Sequence, residues 1–331
     1  MLIMQQPHKI TLIGGGTGSY TLLQALKTLP AEITALVNMA DDGGSTGVLR
    51  DEMGVLPPGD IRQCLVALSD ASPELRELFT FRFPDGNLLG GHSFGNIFLS
   101  AVELMTQNFQ DGIRLAGDIL QIKGQVLPMT LDDCQLVMNT RAGQVVGQRA
   151  IELTCLPIGV RPELSFTVPP SILRDAKKAI MKADIVVIAP GNLYASLAPA
   201  LIVPGVAEAL QNTSAKDAFN CNLVNKPNHT ADFAVHDYAT EIERLTAPGT
   251  LDYVFYNQDQ PSSKLLKKYA LDGEYPVLID REALNAATYK AIGGPFLSHQ
   301  LIRRNTNDSF IVRSLIRHDA QAVVDALRQV L

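Results

Sequence analysis

The sequence predicts an α/β protein, a three-layer α/β/α Rossmann-like fold with a mostly parallel sheet and an inserted helical and hairpin region. Three observations predict it. A short apolar strand at residues 10–13 runs into Gly14-Gly-Gly-Thr-Gly-Ser19, apolar residues at helical spacing follow at 20–29, and a second strand comes at 33–39. This is the β-loop-α-β order of a right-handed parallel crossover. Further on, Ile185-Val-Val-Ile188 is apolar at every position, as suits a sheet covered on both faces. With 331 residues, 46% of them hydrophobic, the chain can bury a large core.

The remaining elements follow in order. Asp41-Asp-Gly-Gly-Ser-Thr-Gly47 reads as an acidic loop, and Pro57-Pro-Gly59 breaks the chain before Asp60, an N-cap for a helix at 61–69. Helices are predicted at 73–81, 93–106 and 111–122. Residues 126–154 alternate as a meander, with a hairpin turn at 141–143 between strands at 135–139 and 145–153, so the insertion covers roughly 73–155. The α/β rhythm resumes with a helix at 171–182, a strand at 184–189, the loop Pro190-Gly-Asn-Leu-Tyr194, a helix at 205–211 and a strand at 220–224. A helix at 235–245, a strand at 251–256, a helix at 262–269, a strand at 276–279 and a helix at 319–330 complete it. No repeat, linker or low-complexity tract divides the sequence, so one domain over residues 1–331 is expected.

Composition narrows the partners. The net charge is −6 and Lys and Arg form no basic run, which argues against nucleic acid and for a nucleotide. Cys64, Cys134, Cys155 and Cys221 show neither C-x-x-C nor metal-type spacing and are read as reduced and mostly packed. No charged leader or membrane-length apolar run is present, so a cytoplasmic location without membrane insertion is expected. A homodimer is the default assembly.

The chemistry gathers at the strand ends. A glycine turn at a helix N-terminus offers backbone N–H groups and a positive dipole end to an anion, so Gly14, Gly15, Gly16, Thr17, Gly18 and Ser19 are read as a phosphate loop. Its glycine spacing is neither G-x-G-x-x-G nor a P-loop, and no nicotinamide or flavin is expected. Asp41 and Asp42 end the second strand at the ligand edge of such a sheet; a ribose, a cation such as Mg²⁺ and plain helix capping all suit them. Asp60 adds a third carboxylate, and Arg62 and Arg50 are guanidinium candidates for phosphate. Gly191 and Asn192 form either a second anion nest or an ordinary capped turn. His92 and Asn96 open a helix as a base and a donor, or as caps. Asp232, His236 and Asp237 carry modest weight.

Five motifs in this order, Gly14 to Ser19, Asn38-Met-Ala-Asp-Asp-Gly-Gly-Ser-Thr-Gly47, Leu56-Pro-Pro-Gly-Asp-Ile-Arg62, Gly91-His-Ser-Phe-Gly-Asn96 and Ala189-Pro-Gly-Asn-Leu-Tyr194, resemble the gluconeogenesis factor family of bacteria, within the superfamily of 2-phospho-L-lactate transferases. The resemblance implies a nucleotide-sugar binding protein, with a UDP-sugar as the expected ligand, acting in carbon-source use and cell shape. The alternative it implies is a phosphotransferase of the 2-phospho-L-lactate transferase type, acting on a nucleoside diphosphate conjugate with Mg²⁺. By resemblance Asp42 and Asp60 match the carboxylates tied to metal and transferred group, catalytic if the chain is a transferase, and residues 14–19 match the nucleotide pocket. Two segments depart from the family pattern. Asn192 stands where serine is usual, and Asn225-Lys-Pro-Asn-His-Thr-Ala-Asp232 replaces a Thr-Gln-Pro-Gly-Glu-Thr-like stretch.

Overall fold

The computed structural model describes residues 7–86, 88–141, 143–299 and 315–331. Strand β1 (His8–Gly14) leads into α1 (Gly16–Leu26) and β2 (Ala31–Val37), and β1 and β2 pair in parallel, as the opening motif requires. Helices α2 (Gly44–Met53), α3 (Gly59–Leu68), α4 (Pro73–Thr80), α5 (Phe94–Thr106) and α6 (Phe109–Ile119) come next. They precede β3 (Gln125–Pro128). Strands β4 (Leu136–Thr140), β5 (Gly143–Val146) and β6 (Glu163–Phe166) form a small antiparallel sheet in the order β5-β4-β6, and α7 (Gln148–Leu153) lies between its last two strands in sequence.

The second half alternates again: α8 (Arg174–Lys182), β7 (Ile185–Ile188), a π-turn at Leu193–Leu197, α9 (Ala198–Leu201), α10 (Val206–Asn212) and β8 (Lys216–Asn220). It continues through α11 (Val235–Leu245), β9 (Tyr253–Asn257), α12 (Ser263–Ala270), α13 (Arg281–Ala286), β10 (Lys290–Gly294) and α14 (Ala320–Leu327). The seven-stranded sheet has the order β10-β9-β8-β7-β1-β2-β3, with every pair parallel.

Alternation along the strands splits the core in two. Ile13, Leu36, Ile188 and Phe219 pack on one face with Leu193, Tyr194 and Ile242. Ile10, Leu12, Val187 and Ala218 pack on the other with Leu22, Leu65 and Val324. The four cysteines are free, with Cys64, Cys134 and Cys221 buried and Cys155 exposed. Among the described residues no single helix is long and apolar enough to cross a membrane.

Five of the expected elements come out differently in the structure. The expected acidic loop continues into α2, because the glycine-rich stretch is a helix start and the helix-forming run through Met53 follows it. Residues 125–128 extend the parallel sheet as its edge strand instead of joining the meander. The strand expected at 145–153 stops at Val146; Gly147 turns the chain at φ 97° and α7 begins. The strand expected at 220–224 ends at Asn220, and Leu223 and Val224 are apolar because they join a satellite cluster with Tyr269, Leu297 and Ile316. At 276–279 only isolated bridges form, Pro276 to Val224 and Leu278 to Ala234, and β10 is the strand that closes the sheet.

Candidate nucleotide-binding site

In this strand order the sheet changes direction between β1 and β7. The chain leaves β1 toward the face of Leu22 and Leu23, and leaves β7 toward the face of Leu193 and Tyr194. At such a switch the two departures part at the carboxyl ends of the strands, and there α/β proteins of this type take their ligands in a crevice. Residues 14–19 and 190–192 are its two lips. They meet at Gly18, where a β-carbon would stand 2.0 Å from the Pro190 carbonyl oxygen.

Three helix starts converge beside the first lip. The N-cap residues of α1, α2 and α3, Gly15, Gly43 and Pro58, supply no side-chain cap of their own. A β-carbon on Gly15 would lie 2.2 Å from Asp60 Oδ2, and one on Gly59 would lie 2.4 Å from Thr46 Oγ1 and 3.1 Å from Asp41 Oδ2. Asp41 and Asp60 therefore sit among three positive dipole ends. Asp41 accepts from the Gly43 amide at 3.0 Å. The Gly16 amide serves Asp60, while those of Thr17 and Gly18 have no acceptor among the described residues.

Burial dominates the electrostatics of this pair. It pushes the Asp60 carboxyl up to about 7, the charge of Asp41 adds to the rise, and the Gly16 amide and Arg62 oppose it. Asp41 is raised as well, chiefly by burial, against the bonds from Gly43 and Thr46. Two acids held this way are proton-bearing or charge-hungry, and a cation or a cationic group near them would ionise both.

A family model described as 2-phospho-L-lactate transferase CofD matches residues 10–297. The chain belongs to this family. The gluconeogenesis factor of Bacillus subtilis is 36% identical over 330 residues, 99% of each chain, and that of Halalkalibacterium halodurans is 35% identical over 327 residues, 96% of this chain and 95% of its own. A Nostoc relative is 41% identical over 287 residues, which are 84% of this chain and 61% of its own length. A crystal structure of a UPF0052 family protein from Bacillus halodurans matches with a TM-score of 0.88 at 34% identity, covering 98% of this chain and 100% of that one. The gluconeogenesis factor group of the CofD family is thus where this chain stands.

In this CofD family member the predicted site residues separate into groups. Asp41, Asp60 and residues 14–18 share the first lip, and Ser19 lies buried beneath it with no partner for its hydroxyl among the described residues. Arg62 is buried beside Asp60 and donates Nε to Asn96 Oδ1 at 2.8 Å. Asn96 Nδ2 donates to Ser45 Oγ at 3.2 Å, and Ser45 Oγ is also hydrogen-bonded to His92 Nδ1 at 3.0 Å. Asp42 turns away to α7, where Oδ1 accepts the Arg149 amide at 2.8 Å. Gly191 is clamped by Asn222, its N–H donating to Oδ1 at 3.3 Å and its carbonyl accepting from Nδ2 at 2.7 Å. Asn192 caps the π-turn by accepting the Ala195 amide at 3.2 Å.

Arg50 is bound to Asp133 and to the Cys134 carbonyl, and Asp237 caps α11 through the Ala234 amide. Asn222, His229 and Thr46 take part in the site without having been singled out in the sequence. Each acts through a contact distant along the chain, and only the polar loop after β8 hints at the first two.

A cavity of about 1120 Å³ lies elsewhere, along the β3 edge near Lys9, Glu32, Arg114, Asp118 and Lys182. Its charges are mixed and partly paired to each other, as Arg114 is to Asp111 and Lys178 to Asp175.

Proposed function

We propose that this protein binds a nucleoside diphosphate conjugate, a UDP-sugar, in the crevice between β1 and β7, and works as a cytoplasmic regulator of carbon-source use and cell shape. The observation that carries the reading is the meeting of three helix starts, whose N-cap residues bring no capping side chain, around Asp41 and Asp60 at the switch of strand order. In this reading the amides of Thr17 and Gly18 hold the diphosphate, and Asp41 faces the ribose or a cation. The printed name of the Bacillus subtilis relative, gluconeogenesis factor, supports a role in carbon metabolism.

Mg²⁺ fits this arrangement. Among the described residues no group of three His, Cys, Asp or Glu could hold a metal alone, and Mg²⁺ is commonly bound by one or two carboxylates together with substrate phosphates. Asp60 with Asp41 would hold it, and its charge would offset that of the diphosphate. Asp60 is the metal residue common to this geometry and to the family resemblance; Asp42 is committed to α7.

Thermal-shift measurements with UDP-, GDP- and ADP-linked ligands, followed by mass spectrometry of the recovered ligand, test the proposal. A shift with UDP-N-acetylglucosamine or UDP-glucose, recovered intact, is the expected result. No shift with any nucleotide would overturn it. Transfer of a phospholactyl group from a guanosine diphosphate carrier to a deazaflavin would replace it with the transferase alternative.

A further inference from the structure

His229 is 5% exposed, and both of its ring nitrogens face oxygen atoms. Nε2 lies 2.9 Å from the Ile151 carbonyl of α7, and Nδ1 lies 3.3 Å from Asn192 Oδ1 in the second lip of the crevice. The Tyr194 ring closes the arrangement edge-on at 5.6 Å. These contacts join the two segments in which the sequence departs from the family pattern. A backbone carbonyl can only accept, so Nε2 must carry a hydrogen. Nδ1 then has a hydrogen only when the ring is an imidazolium.

The Asn192 amide must follow. With a charged ring, Oδ1 accepts from both His229 Nδ1 and the Ala195 amide, and Nδ2 is left with no partner among the described residues. With a neutral ring, the Nδ1 lone pair would oppose Oδ1. The amide, whose oxygen and nitrogen are nearly the same size, relieves this by turning over, so that Nδ2 donates to His229 and Oδ1 becomes the uncommitted end. The Ala195 amide loses its cap in that state.

We propose that His229 is a positioning residue that decides whether Asn192 offers the crevice a hydrogen-bond donor or an acceptor. The proposal rests on the crevice being the ligand site and adds to it a proton linkage and a preference: an anionic diphosphate favours the donor form. Burial lowers the pKa of His229, and the Ile151 and Thr154 carbonyls and Glu152 oppose that. The neutral ring is therefore favoured in the free protein near neutral pH, and an anion bound to Asn192 draws a proton onto it. The ionisable groups around the ring are Glu152 of α7, Cys155 just after it, Tyr194 of the π-turn and, on its own loop, Lys226, which is paired with Glu274.

Nitrogen-15 spectra of the His229 imidazole and the Asn192 side-chain amide, recorded from pH 5 to 8.5 on the full chain without ligand, test the linkage directly. The expected result is one shared midpoint for both groups, with the Asn192 response lost in His229→Gln. An Asn192 amide unmoved while His229 titrates would overturn the proposal. Should His229→Gln fail to fold, Asn192→Ser serves instead, and the His229 midpoint is expected to fall because its second acceptor is gone; an unchanged midpoint contradicts the coupling. With UDP as probe, the gain in affinity from pH 8 to pH 6 is expected to be about three- to tenfold larger in the unaltered protein than in either variant, the value of one hydrogen bond. Equal gains would overturn the linkage to binding. No UDP binding at any pH would refute the proposed ligand site, while the spectra would still decide the role of His229.

Discussion

Asp60 fills the space that a side chain at residue 15 would need, with Oδ2 2.2 Å from the position of a Gly15 β-carbon. The acid is 8% exposed, and its charge is felt by the buried Cys64 thiol. Gly15→Ala is expected to cost about 1–3 kcal/mol of stability, the usual penalty for overpacking, and to weaken nucleotide binding by displacing Asp60 and the first turn of α1. Urea denaturation and a binding titration check both. Unchanged stability and affinity would mean that the loop and Asp60 are not in contact.

The same acid makes stability depend on pH. Asp60 titrates at about 7 in the folded protein, against an ordinary value of 3.8. Between these values the folded protein keeps a proton that the unfolded chain has lost, so stability is greatest at the acid end and declines as pH rises toward 7. Asp41, raised in the same direction, adds to the slope. Asp60→Asn, which cannot ionise, is expected to be more stable than the unaltered protein at pH 8 by roughly 2–4 kcal/mol, with the difference disappearing near pH 4. Denaturation at several pH values measures this. A variant less stable at pH 8 would show that ionised Asp60 is well compensated in the fold.

Asn96 bridges two groups of the site. Its carbonyl takes the Arg62 Nε hydrogen and its amide donates to Ser45. Asn96→Ala removes the acceptor of the buried Arg62 Nε hydrogen, and a loss of about 1–3 kcal/mol is expected. Asn96→Asp keeps the acceptor for Arg62 and is expected to recover part of that loss. Calorimetric melting of the two variants checks the order, and an alanine variant as stable as the parent would contradict the network.

Much of this architecture was legible because strands that run into glycine announce their own ends. The loop after Ile13 and the turn after Ile188 were placed correctly for that reason, and with them both lips of the crevice. Helix α2 was hidden because its first turn is written in turn residues, Gly44 to Gly47. The end of β8 was misplaced because burial of Leu223 in a satellite cluster looks the same in sequence as burial in a strand. Asp42 could not be assigned from its neighbours, since its partner Arg149 lies 107 residues away. For Asn222 and His229 the polar loop after β8 gives only a hint, because their roles exist only once β8 lies beside β7.

The central claim is that the first-turn amides of α1 receive the diphosphate. Proton–nitrogen spectra of the protein titrated with UDP-N-acetylglucosamine test it most directly. The Thr17 and Gly18 amides are expected to move furthest, together with Gly16. Saturable binding that leaves these three amides in place, and moves instead residues of the β3 edge such as Arg114 and Lys182, would contradict it.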